Sequence, residues 1–214
     1  MIYAVLSVIL AYLLGSISFA IIFSKIFMKK DVRELGSGNA GTTNIMRTGG
    51  FGLGAITFLG DVFKGFLACF IGKLVFANVF ENGECWAIYG AFICGLACML
   101  GHVFPIFFQF KGGKGIATSV GIFAVCCWPA ILIGLAIFAL GVLITRIVSV
   151  SSIAAAVTVV VCTMIFSFIN APANFWLQAV LATVMGVLVI VKHSENIKRL
   201  INGTEKKLTI GGKK

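Results

Sequence analysis

Apolar residues run through this chain in long uninterrupted stretches, broken by short polar segments that hold most of the charge. The first stretch, residues 2–24, has no preceding basic residue and is too long for a signal-peptide core. It is expected to stay as a first membrane span. Residues 51–80 form a second apolar stretch, interrupted by Asp61, Lys64 and Lys73, and an acidic loop at 81–85 follows. Residues 86–110 are long enough, at ~1.5 Å per residue, to cross a ~30 Å hydrocarbon core with some tilt, and Pro105 should kink their end. Pro129 splits residues 116–145 into halves shorter than the ~17 residues of a full span. Two further spans are expected at 151–168 and 175–191.

Composition excludes a soluble fold. With 60% apolar and 11% charged residues and a mean hydropathy of +1.09, the apolar side chain exceeds what one soluble core can hide. The expectation is an all-α integral membrane protein, a single membrane-embedded domain over 1–214 with a flexible basic tail from about 206.

Charge sets the expected topology. Seventeen Lys and Arg against seven Asp and Glu leave a net charge of +10, which favours anionic partners. If residues 116–145 crossed only once, Arg146 and the C-terminal basic cluster would face away from the first basic loop, against the positive-inside tendency. The stretch is therefore expected to go in and come back, giving about seven transmembrane helices, two of them short. All basic residues except Lys64 and Lys73 then fall on one side, with the N-terminus outside and the C-terminus cytoplasmic. Nucleic acid is not an expected partner, because the Phe-rich stretches lie inside the apolar runs. The seven cysteines (Cys69, Cys85, Cys94, Cys98, Cys126, Cys127, Cys162) show no CxxC pair and read as small hydrophobes. The scattered carboxylates give no metal site, and no cofactor is expected.

This topology puts three glycine-rich or polar segments on the cytoplasmic face, where they could share a site. Residues 35–47 (LGSGNAGTTNIMR) hold Gly36, Gly38 and Gly41 in GxGxxG spacing. A dinucleotide fingerprint is excluded, since nothing near it can build a βαβ unit. The underlying physics survives: glycines let backbone N–H groups approach an anion, and a helix N-terminus adds positive potential. Ser37, Asn39, Thr43 and Asn44 add donors, and Arg47 can grip a phosphate at two points. A linker that needs glycine only for turns has no use for Asn39, Asn44 and Arg47 together. Residues 111–115 (KGGKG) place Lys111 and Lys114 around Gly112 and Gly113. They fail as a P-loop, because Gly115 follows Lys114 where Ser or Thr is required. Residues 192–203 (KHSENIKRLING) place His193 beside Glu195 and Asn196 at the end of the last span, positioned to orient or deprotonate a hydroxyl. Asp61 and Lys64, at i and i+3, suit mutual neutralisation, and His102 reads as packing.

At these segments the chain resembles the bacterial membrane glycerol-3-phosphate acyltransferases that use acyl phosphate as donor. GSGNAGTTNIMR, GHVFPIFFQFKGGKGIAT and HSENIKRLING look like that family's three motifs, in order, across about residues 2–205. The resemblance implies transfer of a fatty acyl group from acyl phosphate to the 1-hydroxyl of sn-glycerol 3-phosphate. The products would be lysophosphatidic acid and inorganic phosphate, the first step of phospholipid synthesis, at the cytoplasmic face of the bacterial inner membrane. Membrane lipid and the enzyme that forms acyl phosphate are the implied partners. Carried over by motif, Ser37, Thr43 and Arg47, then Lys114, then His193 and Asn196 match functional positions, while Ala40 and Thr42 stand where the family commonly has Pro and Ala. The donor is already activated, so no covalent nucleophile is needed, and either a phosphate oxygen or His193 would take the hydroxyl proton. Acyltransferases with an HxxxxD pair are excluded, since Phe107 and Lys198 stand five residues after the two histidines. A small anion transporter is the chief rival; its weakness is that the external loops offer no matching basic group.

Overall fold

A computed structural model describes residues 1–81 and 83–208. Among them are ten α-helices, short 3-10 and π turns, and no strand. Six helical segments are long and apolar enough to cross a membrane. The protein is an all-helical integral membrane protein, as expected. The chain divides into two compact units, Met1–Cys126 and the remainder from Cys127.

In the first unit, α1 (Ile2–Ser16), α4 (Phe51–Val79) and α5 (Gly83–Val103) pack on one another through small side chains. Ala4, Ala11, Ala68, Cys94, Ala97 and Cys98 form the seam, closed by Phe76. Small residues let helix backbones approach where lipid supplies no hydrophobic drive between helices. Leu10, Phe63 and Phe70 point outward and stay exposed, as side chains solvated by lipid do. The short α6 (Ile116–Cys126) lies against α4 and α5.

The first span is not the continuous helix its apolar run suggests. It breaks at Ile17, which is extended (φ −69°, ψ 107°), and restarts as α2 (Phe19–Phe23) and a π turn over Ser24–Met28. Lys64 supplies the cause: its Nζ donates to the carbonyls of Gly15 at 2.9 Å and Ile17 at 2.7 Å. Helix-end carbonyls without intrahelical donors need such a partner. Helix α5 ends at Val103, two residues before Pro105. It begins at Gly83, so most of the expected acidic loop is helical; Asn82 lies outside the described residues.

In the second unit, α7 (Trp128–Thr145) packs on α8 (Val148–Asn170), and α8 on α9 (Phe175–Lys192). The break expected at Pro129 falls at Cys127 instead, because proline fits the first turn of a helix and starts α7 rather than ending α6. The pieces are therefore unequal, 11 residues for α6 and 18 for α7, and only α6 is too short to span. Ser167 Oγ donates to Gln178 Oε1 at 2.7 Å between α8 and α9, a buried polar tie. The short α10 (Ser194–Ile201) follows α9. Of the expected basic tail, residues 209–214 lie outside the described residues, and Leu208 N donates to the Arg146 carbonyl at 2.6 Å.

Candidate active site

The first glycine segment is a fixed loop. Val32, Ala40 and Ile45 are buried with Ala20 and Ile21 of α2, which pins both ends of the segment to the first span. Gly36 and Gly38 take positive φ (61° and 72°), where a side chain would be strained. Asn44, buried at the start of α3 (Thr42–Gly49), is the loop's internal brace. Its Oδ1 accepts from Ser37 N at 2.9 Å, and its Nδ2 donates to the carbonyls of Val32, Leu35 and Asn39 at 2.9–3.1 Å. Asn44 is thus committed to the loop's own backbone. That arrangement leaves Ser37 exposed at the tip and Arg47 exposed one turn into α3. No side chain caps the start of α3, where Asn44 N donates to the Gly41 carbonyl at 3.1 Å.

The second segment folds back on the last turn of α5. Gly112 N donates to Val103 O at 3.3 Å and Gly113 N to His102 O at 3.1 Å, which satisfies carbonyls at the end of that helix. Gly113 is buried between the Ala40 carbonyl and the His102 ring, so the two glycine segments meet there. Lys111 is exposed and Lys114 half-buried on either side. Arg33 ties the segments a second time, donating to Phe108 O at 3.0 Å. Asp31 accepts three hydrogen bonds from Arg33, from its backbone N and Nε at 3.0 Å each and from Nη2 at 2.8 Å. The hydrogen bond from Arg33 outweighs burial and lowers the Asp31 pKa to about 2.

The third segment belongs to the second unit. His193 is buried, and its Nδ1 lies 2.8 Å from the Val189 carbonyl. A carbonyl only accepts, so Nδ1 donates in this bond. Asn196 Nδ2 donates to Glu205 Oε1 at 2.7 Å, and Ser149 Oγ and Arg199 Nε also donate to that carboxylate, at 2.8 and 2.7 Å. Burial alone would raise the Glu205 pKa; the hydrogen bonds from Asn196, Arg199 and Ser149 bring it below its usual value.

The family model described as glycerol-3-phosphate acyltransferase matches residues 5–203. A glycerol-3-phosphate acyltransferase of Thermoanaerobacter sp. (strain X514) is 43% identical, with 96% of each chain covered. Glycerol-3-phosphate acyltransferase 2 of Bacillus anthracis is 38% identical over 95% of this chain and 98% of that one. The chain belongs to the glycerol-3-phosphate acyltransferase family. Two crystal structures of the integral membrane acyltransferase PlsY (YgiH), in glycerol 3-phosphate and lysophosphatidic acid forms, superpose with TM-scores of 0.84 and 0.80. Both are 35% identical and cover 96% of this chain, with 96% and 95% of the respective neighbour covered. Family membership makes this chain a membrane-embedded acyltransferase.

Two residues of this acyltransferase carry more than their sequence context suggests. Glu205 looks like a stray acid in a basic tail, yet it gathers Asn196 and Arg199 of the preceding α10 and Ser149 from 56 residues away. The usable signal was the lone carboxylate two residues after Gly203 at its positive φ (67°). His102, read as packing, stands directly behind the meeting point of the two glycine segments.

Proposed function

We propose that this enzyme transfers a fatty acyl group from acyl phosphate to the 1-hydroxyl of sn-glycerol 3-phosphate, releasing lysophosphatidic acid and inorganic phosphate. The observation that carries the reading is the meeting of two glycine segments at Ala40 and Gly113, the segments that hold Ser37, Arg47 and Lys114. Donor and acceptor are both phosphate anions, and a double glycine loop with two cations suits two phosphates held close together. The solved relatives in glycerol 3-phosphate and lysophosphatidic acid forms support the acceptor and the product.

In this reading Gly36, Gly38, Gly41, Asn39 and Thr43 shape and line the first anion cradle, and Lys111, Gly112 and Gly113 the second. Asn44 braces the first cradle from within. The acceptor oxygen attacks the acyl carbon, the bond from that carbon to the bridging oxygen breaks, and phosphate leaves with the bonding pair. Arg47 and Lys114 stabilise the charge that gathers on it, and Ser37 donates a hydrogen bond. The hydroxyl proton passes to a phosphate oxygen or to His193 Nε2, and Asn196 orients the acceptor. The acyl chain stays among the helices while the phosphate chemistry faces the cytoplasm, at the inner membrane of a bacterium. The positive-inside tendency supports this orientation, which puts Lys25, Lys29 and Lys30 on the same side as the C-terminal cluster if the 11-residue α6 enters the membrane and α7 returns from it as separate helices. The enzyme that makes acyl phosphate is the natural supplier of its substrate.

The test supplies purified protein with acyl phosphate and labelled glycerol 3-phosphate, with acyl-CoA in a parallel reaction. Lysophosphatidic acid from acyl phosphate alone supports the reading, and product from acyl-CoA alone overturns the choice of donor.

A further inference from the structure

Three ionisable side chains lie buried behind the proposed phosphate cradle: Asp61 and Lys64 of α4 and His102 of α5. Asp61 and Lys64 are each 1% exposed, and their charged atoms stand 2.8 Å apart. Lys64 also bridges to the broken end of α1 through the Gly15 and Ile17 carbonyls. The same oxygen of Asp61 faces His102 Nδ1 at 3.4 Å, a charge–dipole contact. The other edge of the imidazole, Nε2, lies against Gly113, where a Cβ would collide with it. The backbone closes this contact from the other side, since Gly113 N donates to the His102 carbonyl at 3.1 Å.

A continuous line of contacts thus runs from the break in the first span, through Lys64, Asp61 and His102, to the second glycine of KGGKG. Closing the break in α1 takes Lys64 alone, and packing α5 against α4 takes any apolar side chain. Neither explains a carboxylate and an imidazole kept in the same buried place, which is costly in a membrane segment. A charged Asp61 makes Nδ1 the favoured proton position, which turns the ring so that its Nε2 edge backs the loop.

We propose that His102, oriented by the Asp61–Lys64 pair, is a positioning residue for the KGGKG loop. It seats Gly113 against Ala40 so that Lys114 meets a substrate phosphate group. The inference rests on the acyl-transfer reading and deepens it, for it says which buried groups hold the second phosphate contact in register. Both substrates carry a phosphate of the required chemistry, and separate KM measurements for the two distinguish them.

The test measures kcat and both KM values on the full-length enzyme for His102→Ala, His102→Gln, Asp61→Asn, Gly113→Ala and the double variant Gly113→Ala/His102→Ala. His102→Ala should raise KM for one phosphorylated substrate by about 10- to 100-fold, since a displacement of ~1 Å is that expensive, with kcat changing less. Asp61→Asn should move the same KM by less. The double variant should be no worse than Gly113→Ala alone, because the ring that the new methyl would strike is gone. KM values within twofold of wild type in His102→Ala, or a double variant showing the full product of the two single losses, overturns the proposal. If these variants do not fold, the unmutated chain still decides the question. It has two histidines, and ¹⁵N-histidine spectra should show the His102 Nε2 resonance moving when glycerol 3-phosphate or acyl phosphate is added. No movement with either ligand contradicts the contact. A wild-type enzyme that forms no lysophosphatidic acid sinks the functional reading instead, whatever the spectra show.

Discussion

Within the proposed site, Arg47 is the residue whose chemistry is least replaceable. A guanidinium presents two parallel N–H donors to a phosphate, whereas an ammonium is a point charge. Arg47→Lys keeps the charge and is expected to cost about 100-fold in kcat/KM, the scale of losing one aligned donor to developing charge. Steady-state kinetics check this, and near-normal turnover would remove Arg47 from the phosphate contacts. Asn44 should fail differently. Its amide satisfies one backbone N–H and three carbonyls inside the loop, so Asn44→Ala is expected to destabilise the folded state by about 1–3 kcal/mol and lower the unfolding temperature as well as activity. The two asparagines of this segment look alike in sequence. What separates them is burial and three carbonyls brought within reach by the turn at Gly36 and Gly38, which residue type alone does not reveal.

Between elements, the Asp31–Arg33 pair fastens the first loop to the second through the Phe108 carbonyl. The folded-state pKa of Asp31 lies at about 2, below its ordinary 3.8. A depressed carboxylate contributes stability above the ordinary value and loses it as pH falls through the folded one. Thermal stability should therefore drop between about pH 4 and pH 2, and Asp31→Asn should start lower and flatten that part of the profile, as unfolding curves across pH would show. Apolar run lengths located the helices to within a few residues because spanning hydrocarbon imposes a minimum length. They missed the break at Ile17, because its cause lies 47 residues away in Lys64. They placed the α6–α7 break two residues late, because proline was read as a stop and here acts as a start. Glu205 was illegible for the same reason as Ile17, since its partners reach it only after the chain has folded.

For the molecule as a whole, the lopsided charge makes a topological statement. Single cysteines introduced at positions 38 and 112, in a background without the seven native ones, should both react with a membrane-impermeant maleimide only when the cytoplasmic face is open. Labelling from opposite faces would separate the two glycine segments and dismantle the proposed cradle. The helical class, the membrane setting and, through the three polar segments, the acyltransferase family were all legible in the sequence, because lipid and an unpaired backbone restrict residue choice severely. The bracing behind those segments was not, because any long-range contact can be made by many sequences.

In the proposed reaction donor and acceptor are held together and react directly, with no acylated protein between them. Phosphate release from acyl phosphate, followed with and without glycerol 3-phosphate at enzyme concentrations comparable to substrate, tests it most directly. Release that requires glycerol 3-phosphate, equimolar with lysophosphatidic acid, is the predicted result. One equivalent of phosphate released per enzyme in the absence of acceptor, with the acyl group left on the protein, would contradict it.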